Sequence, residues 1–169
     1  MMGTKETSEK LLASLYERAK RDAGCPNNFK TTLRCVELLR ILQSLGVFCF
    51  IGDDGTTPAM SYRGRTYFFD MVDPYHLGFY MDIANFNDDD DDARWEMYTI
   101  FNEVNWTSYL MHAYEVSGQV VLSSSQYIGE RKIFCDEVVH MMKAMDETAG
   151  EFHRMIKRNE YLNENATCI

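Results

Sequence analysis

Long apolar runs are missing from this chain of 169 residues. No stretch approaches the roughly 20 consecutive apolar residues that a membrane-spanning helix needs. The opening MMGTKETSEK forms no hydrophobic leader core. No membrane partner is expected, and the expected location is the cytoplasm. Positive charge is also scarce: 17 Lys and Arg stand against 26 Asp and Glu, a formal net charge of −9. Such a balance repels a phosphate backbone, so nucleic acid is not an expected partner. The five cysteines, Cys25, Cys35, Cys49, Cys135 and Cys168, are odd in number, scattered and without a CxxC pair. Neither a disulfide framework nor a zinc site is expected from that spacing. Three of them sit inside apolar patterns, where buried free thiols are common, and burial of Cys49 and Cys135 would leave them inert. Asn105 and Asn165 open Asn-X-Thr triplets, which carry meaning only in a secreted chain.

Catalytic constellations are equally thin. The four histidines are His76, His112, His140 and His153. The last two fall in one helical stretch without an i, i+4 partner, and no HExxH pattern occurs. Ser123, Ser124 and Ser125 lie in a strand-like run rather than at a GxSxG elbow. No GxGxxG or Walker-type loop offers a phosphate cradle. No catalytic residue, cofactor site or metal site is expected, and the chain reads as a non-enzyme.

What is present is a well-supplied core. Hydrophobic residues make up 46% of the chain, with ten Phe and ten Tyr, enough apolar surface to offset the entropy of ordering one domain. Leu11, Leu12, Leu15, Tyr16 and Ala19 recur at the helical period behind Thr7 or Ser8, and Gly24, Cys25 and Pro26 end that segment. It reads as a peripheral helix or arm over residues 1–28. A second helix over 29–45 shows the stripe Leu33, Cys35, Leu38, Leu39, Leu42 and Leu45 and closes at Gly46.

Strand chemistry begins there. Val47 to Ile51 is apolar and stops at the turn signal Asp53, Asp54 and Gly55. Thr57 to Tyr62 and Arg65 to Val72 flank Arg63-Gly64 as a tight hairpin, with Met60 opposite Tyr67. Tyr67, Phe69 and Met71 then share a face directed at the helices, and Thr66, Phe68 and Asp70 share the other. After Asp73-Pro74, Leu77, Phe79, Met81 and Ile83 alternate with Gly78, Tyr80, Asp82 and Ala84, a fourth strand. The aspartate run 88–92 cannot pack, so it reads as a solvated loop whose last acids suit a helix N-terminus. A calcium loop would space its ligands at alternate positions around a glycine, which this run does not.

Met97, Ile100, Phe101 and Val104 mark a third helix over 93–105. Thr107 to Val116 and Gln119 to Ile128 form a second hairpin about Ser117-Gly118. That register pairs Glu115 with Val120, Ala113 with Leu122 and Met111 with Ser124, leaving His112 and Tyr114 on the reverse. The closing helix, about 130–159, repeats Phe134, Val138, Met141, Met145, Ala149, Phe152 and Ile156 at steps of three or four. Met142 lies outside that stripe, so its exposure would favour an adaptable binding surface over core filling. Residues 161–169 read as a frayed tail.

The order is a short helix, a helix, four strands, a helix, two strands and a long helix. It specifies an α+β domain over 29–160, an antiparallel sheet of about six strands covered on one face by helices. The opposite face carries Phe68, Tyr80, His112 and Tyr114 among Ser, Thr and Asp, and these four are the candidate partner-binding residues.

The phrases MSYRGRTYFFDMVDPYHLGFYM, NEVN and SGQVVL, in this order of elements over approximately Thr32 to Arg158, resemble the YbjN-like family of bacterial sensory-transduction regulators. The resemblance implies the fold of the type III secretion chaperones, in which a helix-covered antiparallel sheet serves a dimer or binds an extended partner. The N-terminal helix and the long aspartate run depart from it. The expected function is that of a chaperone-like or regulatory module, forming a homodimer and binding a protein partner through the sheet face or a strand edge. The alternative is a small-molecule-binding or catalytic domain with a pocket between the last hairpin and the closing helix, anchored by His112 and Tyr114.

Overall fold

Helix α1 spans Met2–Arg21 and passes through a 3-10 turn, Asp22–Gly24, into α2, Pro26–Ser44. The computed structural model describes residues 2–52, 57–69, 71, 73–86, 90–108, 110–159, 162 and 166–169, with the side chains of 2–6, 8 and 86 set aside. The predicted turn at Asp53 to Gly55, Asp70, Val72, Asn87 and residues 88–89 of the acidic run lie outside the described residues. Strands β1 (Phe48–Ile51), β2 (Pro58–Tyr62), β3 (Arg65–Phe68) and β4 (His76–Phe86) follow. Then come α3 (Asp91–Thr107), β5 (Met111–Val116), β6 (Gln119–Tyr127), α4 (Cys135–Arg158) and β7 (Ala166–Cys168).

The fold is α+β, and its antiparallel sheet has seven strands in the order β1-β2-β3-β4-β6-β5, with β7 paired to β4 off that path. The seventh strand corrects the expected frayed tail. β4 runs for 11 residues and β3 for only 4. The last residues of β4 hydrogen-bond to the tail instead: Ala84, Asn85 and Phe86 pair with Cys168, Thr167 and Ala166.

Local chemistry explains the element ends. Pro26 occupies the first turn of α2, where its fixed φ suits a helix start, so α2 opens three residues before the expected Phe29. At the other end Val47 donates to the Leu42 carbonyl and Gly46 to that of Gln43. With Gly46 at φ +74°, this is a Schellman closure. Both hairpins turn on two residues of positive φ, Arg63 and Gly64, then Ser117 and Gly118, the twist that two-residue loops require. The Asp90 carboxylate accepts from the backbone N–H groups of Asp92 and Ala93 at 3.0 Å and starts α3.

The closing helix begins at Cys135 rather than near residue 130, because Glu137 reaches back to accept from the Phe134 N–H, the return half of a capping box. Phe134 therefore sits before the helix and is exposed, and so is Cys135, against the expected burial of both.

The chain divides into two compact units, Met1–Phe79 with Ser125–Val139 and Tyr80–Ser124 with His140–Ile169. In the first, α1 packs on α2, and both pack on β1. Leu11, Leu15 and Ala19 of α1 and Cys35, Leu38, Leu39 and Leu42 of α2 are buried, whereas Tyr16, Leu33 and Leu45 of the expected stripes are exposed. The register Met60↔Tyr67 is as expected, and Tyr67, Phe69 and Met71 are buried together. Arg34 of α2 is buried. It donates to the carbonyl oxygens of Pro74 (3.2 Å), Gly129 (2.9 Å) and Arg131 (2.5 Å), and to Glu37 at 2.8 Å. Glu37 in turn accepts from the Ile133 N–H at 3.0 Å.

In the second unit, Met97, Phe101 and Val104 of α3 and Met141, Met145, Ala149, Phe152 and Ile156 of α4 are buried. Phe101 stacks on Phe152 with ring centroids 6.1 Å apart. The His153 ring, through Nε2, meets the Ile83 carbonyl at 2.7 Å and fastens α4 to β4. Met142 is only 2% exposed, so this methionine fills core space, and the expected sign of a binding surface on α4 is absent there.

Candidate protein-interaction surface

β5 carries the candidate site because its side chains alternate between a sealed and an open face. Met111 and Ala113 are buried, as are Ser124, Leu122 and Val120 across from Met111, Ala113 and Glu115. The reverse presents His112, Tyr114 and Val116, whose partners on β6 are Ser123, Val121 and Gln119. Tyr114 is 42% and Val116 52% exposed, and His112 is exposed as well. Tyr80 lies on β4 between the buried Phe79 and Met81, so it takes the open side of its own strand. β6 separates β4 from β5, which places Tyr80 two strand spacings, about 10 Å, from β5.

The second unit thus brings Tyr80, His112 and Tyr114 onto open strand faces. Phe68 belongs to the first unit. There the register Phe50↔Ala59↔Phe68 sets it in line with Phe50, and Phe50 stacks on Phe48 at 5.5 Å. These two phenylalanines were not singled out, although the alternation of Phe48 and Phe50 with the buried Cys49 was there to be read. The stretch 47–51 looked uniformly apolar, which hides a two-sided strand.

The open face of the second unit is nearly free of fixed charge. Among the described residues of β4, β5 and β6 on that side the carboxylate is Asp82 of β4, whose pKa burial pushes above the ordinary 3.8. In the first unit, the Tyr75 N–H and then the His76 ring hold the Asp73 carboxyl below its usual range. Burial pushes the Cys49 thiol up to about 12, far from any nucleophilic role.

The outer edge of β5 is largely taken. The Asn105 carboxamide accepts from the Ala113 N–H at 2.7 Å and donates to its carbonyl at 3.1 Å. One step along, Ser108 Oγ accepts from the Met111 N–H at 3.1 Å. Two side chains from the end of α3 thereby fill positions a pairing strand would use.

Neither of two clefts fits the expected small-molecule pocket. One of about 520 Å³ in the first unit is lined by Ser14, Arg18, Arg21, Asn28 and Thr31. The other, also about 520 Å³, is an open hollow lined by Asn102, Glu103, Asn105 and Trp106. His112 and Tyr114 line neither. Among the described residues, no three His, Cys, Asp or Glu side chains converge as metal ligands, and no helix is long and apolar enough to cross a membrane.

No family model matches the chain, and no curated protein matches it. Among solved structures it is similar to YbjN from E. coli, with a TM-score of 0.49 and 13% identity, covering 68% of this chain and 84% of that one. It is similar also to the Yersinia pestis type III secretion chaperone SycH, solved in complex with a stable fragment of YscM2. There the TM-score is 0.48 and the identity 14%, over 70% of this chain and 98% of that one. The sequence phrases resemble the first of these groups, and the fold of the second is what that resemblance implies. At such identities the likeness bears on the fold alone.

Proposed function

We propose that this chain is a non-enzymatic protein-interaction module, chaperone-like or regulatory, that works in the cytoplasm as a homodimer and meets its protein partner through the open face of the sheet. The carrying observation is the face of β5: His112, Tyr114 and Val116 stand exposed over the neutral partners Ser123, Val121 and Gln119. An uncharged, partly aromatic strip on a chain of net charge −9 is the place where another protein surface, a second copy included, can approach without strong repulsion. The occupied edge of β5 favours the face over strand addition. Phe48, Phe50 and Phe68 give the first unit a comparable aromatic patch.

The test is affinity capture from a native cytoplasmic extract with the wild-type chain and with Tyr114→Arg. The reading expects one protein to be retained by the first and lost from the second, with both showing the same unfolding midpoint. Equal recovery of every captured protein by the two chains would count against it.

A further inference from the structure

Both tryptophans of this chain lie on α3, and both face solvent: Trp95 is 73% and Trp106 90% exposed. They are eleven positions apart, which is close to three helical turns, so the two indoles project within about 20° of one another and about 16 Å apart along the axis. The buried side of the same helix is formed by Ala93, Met97, Ile100, Phe101 and Val104, on the far side of the cylinder. The tryptophans therefore contribute nothing to the core. Leaving two large indoles in water is an uncommon expense of apolar surface.

Their surroundings specify what could cover them. The helix sequence DDARWEMYTIFNEVNWT holds four carboxylates and one guanidinium. That guanidinium, Arg94, is already engaged by Asp91 at 3.2 Å. Glu103 is exposed, lines the hollow beside Trp106, and has no ion pair among the described residues. A second copy of this face would bring the same carboxylates against each other. A planar cation, by contrast, can lie over an indole while its N–H groups meet a carboxylate.

We propose that the outward face of α3 docks an arginine-rich segment of a partner protein, with guanidinium groups stacked on Trp95 and Trp106 and paired with Glu103. This surface is distinct from the neutral sheet face and does not depend on it: one is fitted to an uncharged contact, the other to a cationic one.

The experiment is calorimetric titration of the full chain with an arginine–glycine repeat peptide, followed in parallel by indole emission, since Trp95 and Trp106 are its only indoles. Saturable binding is expected. Trp95→Ala and Trp106→Ala, which leave the charge unchanged, should each weaken it about three- to thirty-fold. Glu103→Gln should weaken it more than Glu147→Gln, a control of equal charge change at an exposed position of α4. Far-ultraviolet dichroism and the unfolding midpoint show that each variant is folded.

Three results would overturn the proposal. One is binding unaffected by either tryptophan variant, or equally affected by Glu103→Gln and Glu147→Gln, which would mean bulk charge attraction. Another is an emission shift on changing the concentration of the chain alone, which would mean that a second copy covers the face. The third is a shift produced by phosphatidylcholine vesicles and not by the peptide.

Discussion

Replacing Arg34 by Met keeps most of the side-chain volume and removes the donors. In the folded chain this guanidinium serves three backbone carbonyls, at Pro74, Gly129 and Arg131, and the Glu37 carboxylate. Its side chain is 10% exposed, so water can replace little of what is lost. Each charge-assisted hydrogen bond contributes about 1.5–3 kcal/mol, but the bonds share one cation and do not add. Removing one member of a buried ionic network costs about 3–5 kcal/mol, and that is the expected loss. For a chain of this size it corresponds to a fall in Tm of roughly 6–20 °C. Arg34→Lys keeps the charge but cannot span three carbonyls with one nitrogen, so an intermediate loss of about 2 kcal/mol is expected. Urea unfolding followed by circular dichroism measures both variants. A loss under about 1 kcal/mol for Met, or a Lys variant as stable as the wild type, would refute the idea that Arg34 ties down the turns before β4 and after β6.

Other expectations follow from single features. Native alkylation followed by mass spectrometry should mark Cys25 and Cys135, which are exposed, and spare Cys35 and Cys49 until urea is added; rapid native labelling of Cys49 would contradict its burial and its raised pKa. Asp82 binds its proton more tightly folded than unfolded, so its contribution to stability is complete below the ordinary value of 3.8 and is lost as pH rises through the raised folded value. Asp82→Asn should therefore gain stability over the wild type at neutral pH, and the gain should vanish in acid; a pH-independent difference would show that titration is not the cause. Asn105→Leu loses two hydrogen bonds to Ala113, about 1–3 kcal/mol, and bares the edge of β5. Concentration-dependent association of that variant by sedimentation is the expected result, and an unchanged monomer–dimer balance would show that the edge was not guarded by this side chain.

Much of this architecture is written locally. The two-residue turns Arg63-Gly64 and Ser117-Gly118 fix their hairpin registers through positive φ, so Met60↔Tyr67 and Ala113↔Leu122 were readable from spacing alone. The alternation in β4 told which side of Tyr80 faces the core. What escaped depends on partners remote in sequence. Arg34 sits inside an apolar helical stripe, and only contacts roughly 40 and 95 residues away explain its burial. The start of α4 was misplaced because Glu137 caps backward, which periodicity does not reveal. β7 pairs with Ala84, Asn85 and Phe86 at the end of β4, partners some 80 residues back in the chain. Trp95 could have been found by projecting the third helix over 93–105, whose apolar stripe it opposes, whereas Trp106 lies one residue past that expected end and joins the same side only because α3 runs to Thr107.

The most direct test of the open sheet face is the mass of the chain in solution by light scattering at micromolar concentration. The homodimer proposed here reads as twice 19.7 kDa, with Tyr114→Arg returning to the single-chain value while keeping its dichroism. A wild-type chain at 19.7 kDa throughout, or a dimer indifferent to arginine at position 114, would contradict the assignment of that face.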